Sequence, residues 1–101
     1  MFTGATRDTT RLESAPSPDQ QRDLLLYMYT GCGYSYRVMR KAQQLGIELP
    51  IVDIHADADA LRTLLDATGR RTVPCLFIDG EPLHESLVIM EWLDQYAKRS
   101  T

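Results

Sequence analysis

The chain carries two cysteines among its 101 residues, and they stand in different settings. Cys32 lies in Tyr29-Thr-Gly-Cys32-Gly-Tyr34-Ser35-Tyr-Arg37. An apolar run, Leu24-Leu-Leu-Tyr-Met-Tyr29, precedes it, and an amphipathic segment, Arg37-Val-Met-Arg-Lys-Ala-Gln-Gln-Leu45, follows. The first reads as a short buried strand and the second as a helix. A cysteine at such a junction meets unpaired backbone N–H groups and the positive end of a helix dipole. That setting stabilises a thiolate, the species that attacks disulfides. The competing reading is a buried cysteine acting as a small hydrophobe. A core position does not need glycine on both sides, and Gly31 and Gly33 flank this one.

Other chemistries find less support. His55 and His84 are isolated in sequence and read as surface or strand-end residues. Together with the cysteines they form no zinc-ligand spacing, and two cysteines make no secreted disulfide framework. The net charge of −3 gives no overall electrostatic case for nucleic acid. No apolar run approaches the length of a membrane span, and no basic region followed by an apolar one marks a secretory signal. A reducing cytoplasm is the expected compartment.

The elements that must position Cys32 follow from the hydrophobic pattern. Residues 1–22 are rich in Thr, Ser, Arg, Asp and Pro, with Ala15-Pro-Ser-Pro-Asp19 as a breaker cluster. They read as a flexible tail, with residues 23–101 as one domain. A strand over Leu24 to Tyr29 leads to a helix from Gly33 to Leu45, with Val38, Met39, Ala42 and Leu45 on one face and Gly46 as its C-terminal cap. Glu48 to Ile54 reads as a strand, which implies parallel pairing through a right-handed crossover. Asp57 and Asp59 suit the start of a second helix, whose apolar face is Leu61, Leu64 and Leu65 and which Gly69 ends. Cys75 to Ile78 reads as a third strand. Asp79-Gly80 is a hairpin signal, and Glu81 to His84 returns as an edge strand that tolerates Pro82. Leu87, Met90, Leu93 and Ala97 place one face of a last helix inward, with Ile89 and Tyr96 beside it and Trp92 as packing. Cys75, after the proline and at the start of a strand, is expected as a buried free thiol turned away from Val73.

Cys-Gly-Tyr-Ser after a strand, Thr72-Val73-Pro74 before a strand, and Asp79-Gly80 then Glu85-Ser86 before a helix together resemble the glutaredoxin family. The ending Glu85-Ser86-Leu-Val-Ile-Met-Glu-Trp-Leu93 is similar to the thioredoxin-like N-terminal domain of glutathione transferases. The likeness runs from about Leu24 to Tyr96. It implies an α/β thioredoxin-like fold in the order β-α-β-α-β-β-α, a four-stranded mixed sheet flanked by three helices. It also implies a cis bond at Val73-Pro74, glutathione as thiol partner, and glutathionylated thiols as substrates. A monomer is expected. The helical second domain of transferases is not implied.

The resemblance also assigns roles. Cys32 is the nucleophile. Ser35 stands where dithiol members carry a second cysteine; a hydroxyl cannot close a disulfide, so a monothiol route remains. Ser35 is left to hydrogen-bond near the sulfur or to cap the helix. Tyr34 shields the sulfur and contacts glutathione. Val73 and Pro74 pair with its cysteinyl part in the manner of an added strand. Glu85 and Ser86 hold the γ-glutamyl end, where the helix N-terminus adds an anion site; the plain alternative makes Ser86 an N-cap. Arg71 and Thr72 are the candidates for the glycyl carboxylate. Thr30 stands near where many members place a lysine. A second reading is similar to the Cys-Gly-Phe-Ser monothiol members, in which one cysteine per chain plus glutathione ligates a bridging [2Fe–2S] cluster.

Overall fold

The computed structural model describes Leu12 and residues 15–99. Leu24–Met28 forms β1, a hydrophobic strand that becomes one of two inner strands of a four-stranded sheet in the order β2-β1-β3-β4. The other strands are β2 (Ile51–Asp53), β3 (Cys75–Ile78) and β4 (Glu81–His84). β1 runs parallel to β2, with Tyr27 opposite Val52, and antiparallel to β3, with Leu26 opposite Leu76. β3 is buried at every position, as a strand covered on both faces must be. The helices are α1 (Gly33–Gln44), α2 (Ala58–Thr68) and α3 (Ser86–Ala97). The element order and mixed sheet are those the resemblance implies.

Period-two alternation divides the core between the two faces of the sheet. Leu26, Leu76 and Ile78 pack with Val38 and Ala42 of α1 and Ile89, Trp92 and Leu93 of α3. Tyr27, Cys75 and Phe77 face the other way, toward Ala60 and Leu64 of α2. Cys75 is therefore buried, as expected, but not turned away from Val73: residues two apart share a face, and Val73 packs against the same cluster.

Local chemistry explains where the elements stop. Asp57 caps α2 by accepting from the N–H groups of Asp59 and Ala60 at 3.0 and 3.1 Å. Asp79 and Gly80 take φ of 51° and 87°, the paired positive values a two-residue hairpin turn needs. β2 is shorter than the Glu48–Ile54 expected. Pro50 still accepts from Leu26 N–H at 2.8 Å, but it has no N–H with which to extend the ladder.

The inward face of α3 differs from the one expected. Ser86, Ile89, Trp92, Leu93 and Tyr96 are buried, while Leu87 is 72% exposed. Both sets satisfy helical spacing because the helix is apolar on most sides, and only packing against the sheet sets its rotation. His84 is a strand-end residue as expected, but it is buried rather than on the surface. His55 is exposed and stacks on Tyr29 with ring centroids 4.4 Å apart.

Of the expected tail, residues 1–11, 13 and 14 lie outside the described residues. The described part rests on the domain. Trp92 Nε1 donates to Pro16 O at 2.7 Å, Arg22 N–H donates to Tyr96 Oη at 3.0 Å, and Arg22 pairs with Asp79 at 3.0 Å. A breaker-rich segment needs no helix to be held; its carbonyls suffice where an indole N–H would otherwise be buried unpaired.

Candidate functional site

Three chain segments converge at the C-terminal end of β1. The first is the turn into α1. Gly31 has φ of 97°, a value that suits glycine, and Cys32 is the N-cap residue with φ −83° and ψ 113°. Cys32 N–H bonds to Tyr29 O at 3.2 Å, closing the turn, and Tyr36 N–H bonds to Cys32 O at 3.0 Å, opening the helix. The Cys32 sulfur is partly exposed and accepts from Ser35 N–H at 3.4 Å. One first-turn amide of α1 thus points at the sulfur directly.

Ser35 departs from expectation. Its hydroxyl is buried and has no hydrogen-bond partner among the described residues, so it neither meets the sulfur nor caps the helix. Cys32 itself occupies the cap, and the Ser35 contribution comes from its backbone.

The second segment is the loop through Thr72, Val73 and Pro74, with a cis bond at Val73-Pro74. The third is Glu85-Ser86. Glu85 is the N-cap residue of α3, with φ of 74°, and makes no side-chain cap hydrogen bond. Ser86 is the first helical residue, which sets aside the plain N-cap reading for it. A glutamate held at positive φ is a strained conformer of the kind that collects at ligand sites.

The three segments line one groove of about 400 Å³. Tyr34, Thr72, Val73, Pro74, Glu85 and Ser86 form its walls together with Arg37 and Leu87. Arg71 is exposed and is not among the lining residues, and Cys32 and Ser35 stand beside the groove rather than in its lining. The groove's cation is Arg37, whose guanidinium carbon lies 5.9 Å from the Tyr34 ring centroid. The signal for it was present: residues three apart on a helix share a face, so Tyr34 and Arg37 project together. A larger cavity of about 720 Å³ lies by Leu24, Leu25 and Gly46, at the opposite end of β1 from Cys32.

The flank of the cysteine turn is pinned. Thr30 donates from N–H and Oγ1 to Asp53 Oδ2 at 3.1 and 2.8 Å, and His55 N–H donates to Asp53 Oδ1 at 2.8 Å. These bonds, led by the one from His55, hold the Asp53 carboxyl below the usual carboxylate range. Cys75 is fully buried on the α2 face and its thiol is pushed up to about 12 by burial, so it is no partner for Cys32 across the sheet. One chain therefore presents one accessible thiol. Among the described residues no group of three or more His, Cys, Asp or Glu side chains is placed to hold a metal, and a cluster would have to draw its remaining ligands from outside the chain. No helix among them is long and apolar enough to cross a membrane.

Comparison with known proteins agrees with this fold. A family model described as Glutaredoxin matches residues 24–83. Glutaredoxin-C2 of Arabidopsis thaliana is 31% identical over 72 residues, covering 68% of this chain; the chain spans 65% of that relative's length. A buckwheat glutaredoxin–glutathione complex is 27% identical with a TM-score of 0.61, covering 78% of this chain and 83% of its own. Rice GST1 in complex with glutathione is 25% identical with a TM-score of 0.63, covering 76% of this chain and 34% of its own. With the matched region running from β1 through β4, the chain belongs to the glutaredoxin family.

Proposed function

We propose that the chain is a glutathione-dependent monothiol oxidoreductase that removes glutathione from mixed disulfides. The observation that carries this is the groove: Tyr34, the Thr72–Pro74 loop and Glu85-Ser86 close around one space beside the turn that presents Cys32. Two of the solved structures similar to this chain are complexes with glutathione.

The residues divide the work by chemistry. The Cys32 thiolate attacks the glutathione sulfur of a mixed disulfide. That S–S bond breaks, the substrate sulfur leaves as a thiolate and takes a proton from solvent, and Cys32 holds glutathione as a disulfide. A second glutathione thiolate attacks the glutathione sulfur of this disulfide, releasing glutathione disulfide and the Cys32 thiolate. Ser35 cannot intervene, because it has no sulfur. Val73 and Pro74 meet the cysteinyl part of the ligand through the backbone. The uncapped amides of α3 and Ser86 take the γ-glutamyl carboxylate, and Glu85 its ammonium. Arg37 takes the glycyl carboxylate, a role its planar donor suits. Thr72 lies in the same wall, whereas Arg71 is outside the groove.

The test is turnover of a mixed disulfide between glutathione and a small thiol, followed by release of glutathione disulfide. Cys32→Ser abolishes it and Cys75→Ala retains turnover at saturating substrate. Equal loss in both variants would sink the reading.

A further inference from the structure

β3 and β4 meet for the last time at the rung that pairs Cys75 with His84. Beyond it the two strands part. Pro74 has no N–H to extend the ladder, and Glu85 turns away at φ 74°. Pro74 and Glu85, the next residues along the two chains, both line the groove. The last rung is therefore where the two walls are joined.

The side chains of that rung touch. Cys75 Sγ lies 3.8 Å from His84 Nε2, and the two residues are 0% and 1% exposed. His84 Nδ1 is buried with no partner among the described residues. A bare ring nitrogen is the less costly orphan, since buried N–H groups are the ones almost always paired. With its proton on Nε2 the imidazole donates a hydrogen bond to the sulfur and leaves only a bare nitrogen unpaired. Burial holds the thiol near 12 and, aided by the Arg70 charge, the imidazole near 4, so both groups are neutral at neutral pH. An apolar pair would fill the volume without an orphan nitrogen.

We infer that His84, through its Nε2–H bond to Cys75, is a positioning residue that fixes the spacing of the Val73-Pro74 wall against the Glu85-Ser86 wall. The inference rests on the glutathione reading above. It separates binding from chemistry: Cys32 is set by α1 on one face of the sheet, while Cys75 packs on the other, toward α2. Loss of the pair widens the groove and leaves the nucleophile as it was.

The experiment compares wild type, His84→Phe, Cys75→Ala, the double variant and His84→Gln, whose side-chain amide can donate from a similar position. The readouts are KM and kcat with a glutathione mixed disulfide, the Cys32 alkylation rate with iodoacetamide, and the His84 tautomer by nitrogen-15 NMR. His84→Phe and Cys75→Ala each raise KM about three- to ten-fold, with kcat and alkylation within about two-fold. The double variant is no worse than either single one, because both remove the same link, and His84→Gln recovers most of the loss. Unchanged KM in the single variants, additive losses, or an Nδ1–H tautomer overturns the inference. If His84→Phe does not fold, Cys75→Ala decides on the same readouts. Failure of the underlying reading shows separately, in wild type, as absence of glutathione binding in an NMR titration, and takes this inference with it.

Discussion

Thr30 is bonded twice to one oxygen of Asp53, from its backbone N–H at 3.1 Å and its hydroxyl at 2.8 Å. The bonds join the loop that presents Cys32 to the end of β2. Thr30 stands near where many family members carry a lysine. Here that place is spent on anchoring the loop. Asp53→Ala should release it: amide hydrogen exchange at Thr30 and His55 speeds up, and exchange at Leu26 in the inner strand β1 does not change. Uniform exchange rates in the variant and wild type would show that the bonds do not restrain the loop.

Arg37 lines the groove and Arg71 does not. A charge-assisted bond to a ligand carboxylate contributes about 1.5–3 kcal/mol, so Arg37→Ala should raise KM for the glutathione mixed disulfide by about ten-fold or more, while Arg71→Ala changes it less than about two-fold. The Arg37 effect shrinks with added salt. Steady-state kinetics at two ionic strengths checks both statements, and the reverse ranking would restore Arg71 as the carboxylate partner.

His84 gives stability a pH dependence with a defined sign. Its folded-state value is lowered to about 4, chiefly by burial, from an ordinary 6.5. Between these values the unfolded chain binds a proton that the folded chain refuses. The contribution is therefore complete above pH 6.5 and is lost as pH falls toward 4, in total about 3 kcal/mol. Asp53 and Asp79, lowered by hydrogen bonds, act in a separate window: their contribution stands above about pH 4 and is lost below it. Urea unfolding from pH 7.5 to 4 should show the His84 loss, and His84→Phe should remove it. An unchanged slope in that variant would mean another group titrates there.

Trp92 is fully buried, stacks on Tyr96 with centroids 4.8 Å apart, and gives its N–H to Pro16. Trp92→Phe deletes that bond and part of the packing, at a cost of about 1–3 kcal/mol in urea unfolding. Removal of residues 1–22 should shift Trp92 emission to longer wavelength, because it strips the cover from the indole. An unshifted spectrum would show that the segment is not what covers it.

Much of the fold was legible because it follows from local periodicity and turn chemistry. Leu24–Met28 is hydrophobic at every position and reads as a buried strand. Asp79-Gly80 could supply two positive φ values in succession, and Asp57 could cap a helix. The rotation of α3 was not legible. Leu87 and Ile89 both sit on helically spaced apolar rows, and the sheet beneath chooses between them.

By itself the sequence pointed to one candidate nucleophile: Cys32 between two glycines at a strand-to-helix junction, with serine at the third position after it. It also placed Thr72–Pro74 before one strand and Glu85-Ser86 before one helix, and the family resemblance, not covalent order, implied that the two meet at one site. Only the tertiary structure decided which arginine enters the groove, which face Cys75 takes, and that His84 is sealed against it at 3.8 Å. The physical reason is the range of the forces. Caps, turns and alternation act over a few residues and can be read in order along the chain. Burial and the meeting of side chains far apart in sequence exist only once the sheet has brought its strands together.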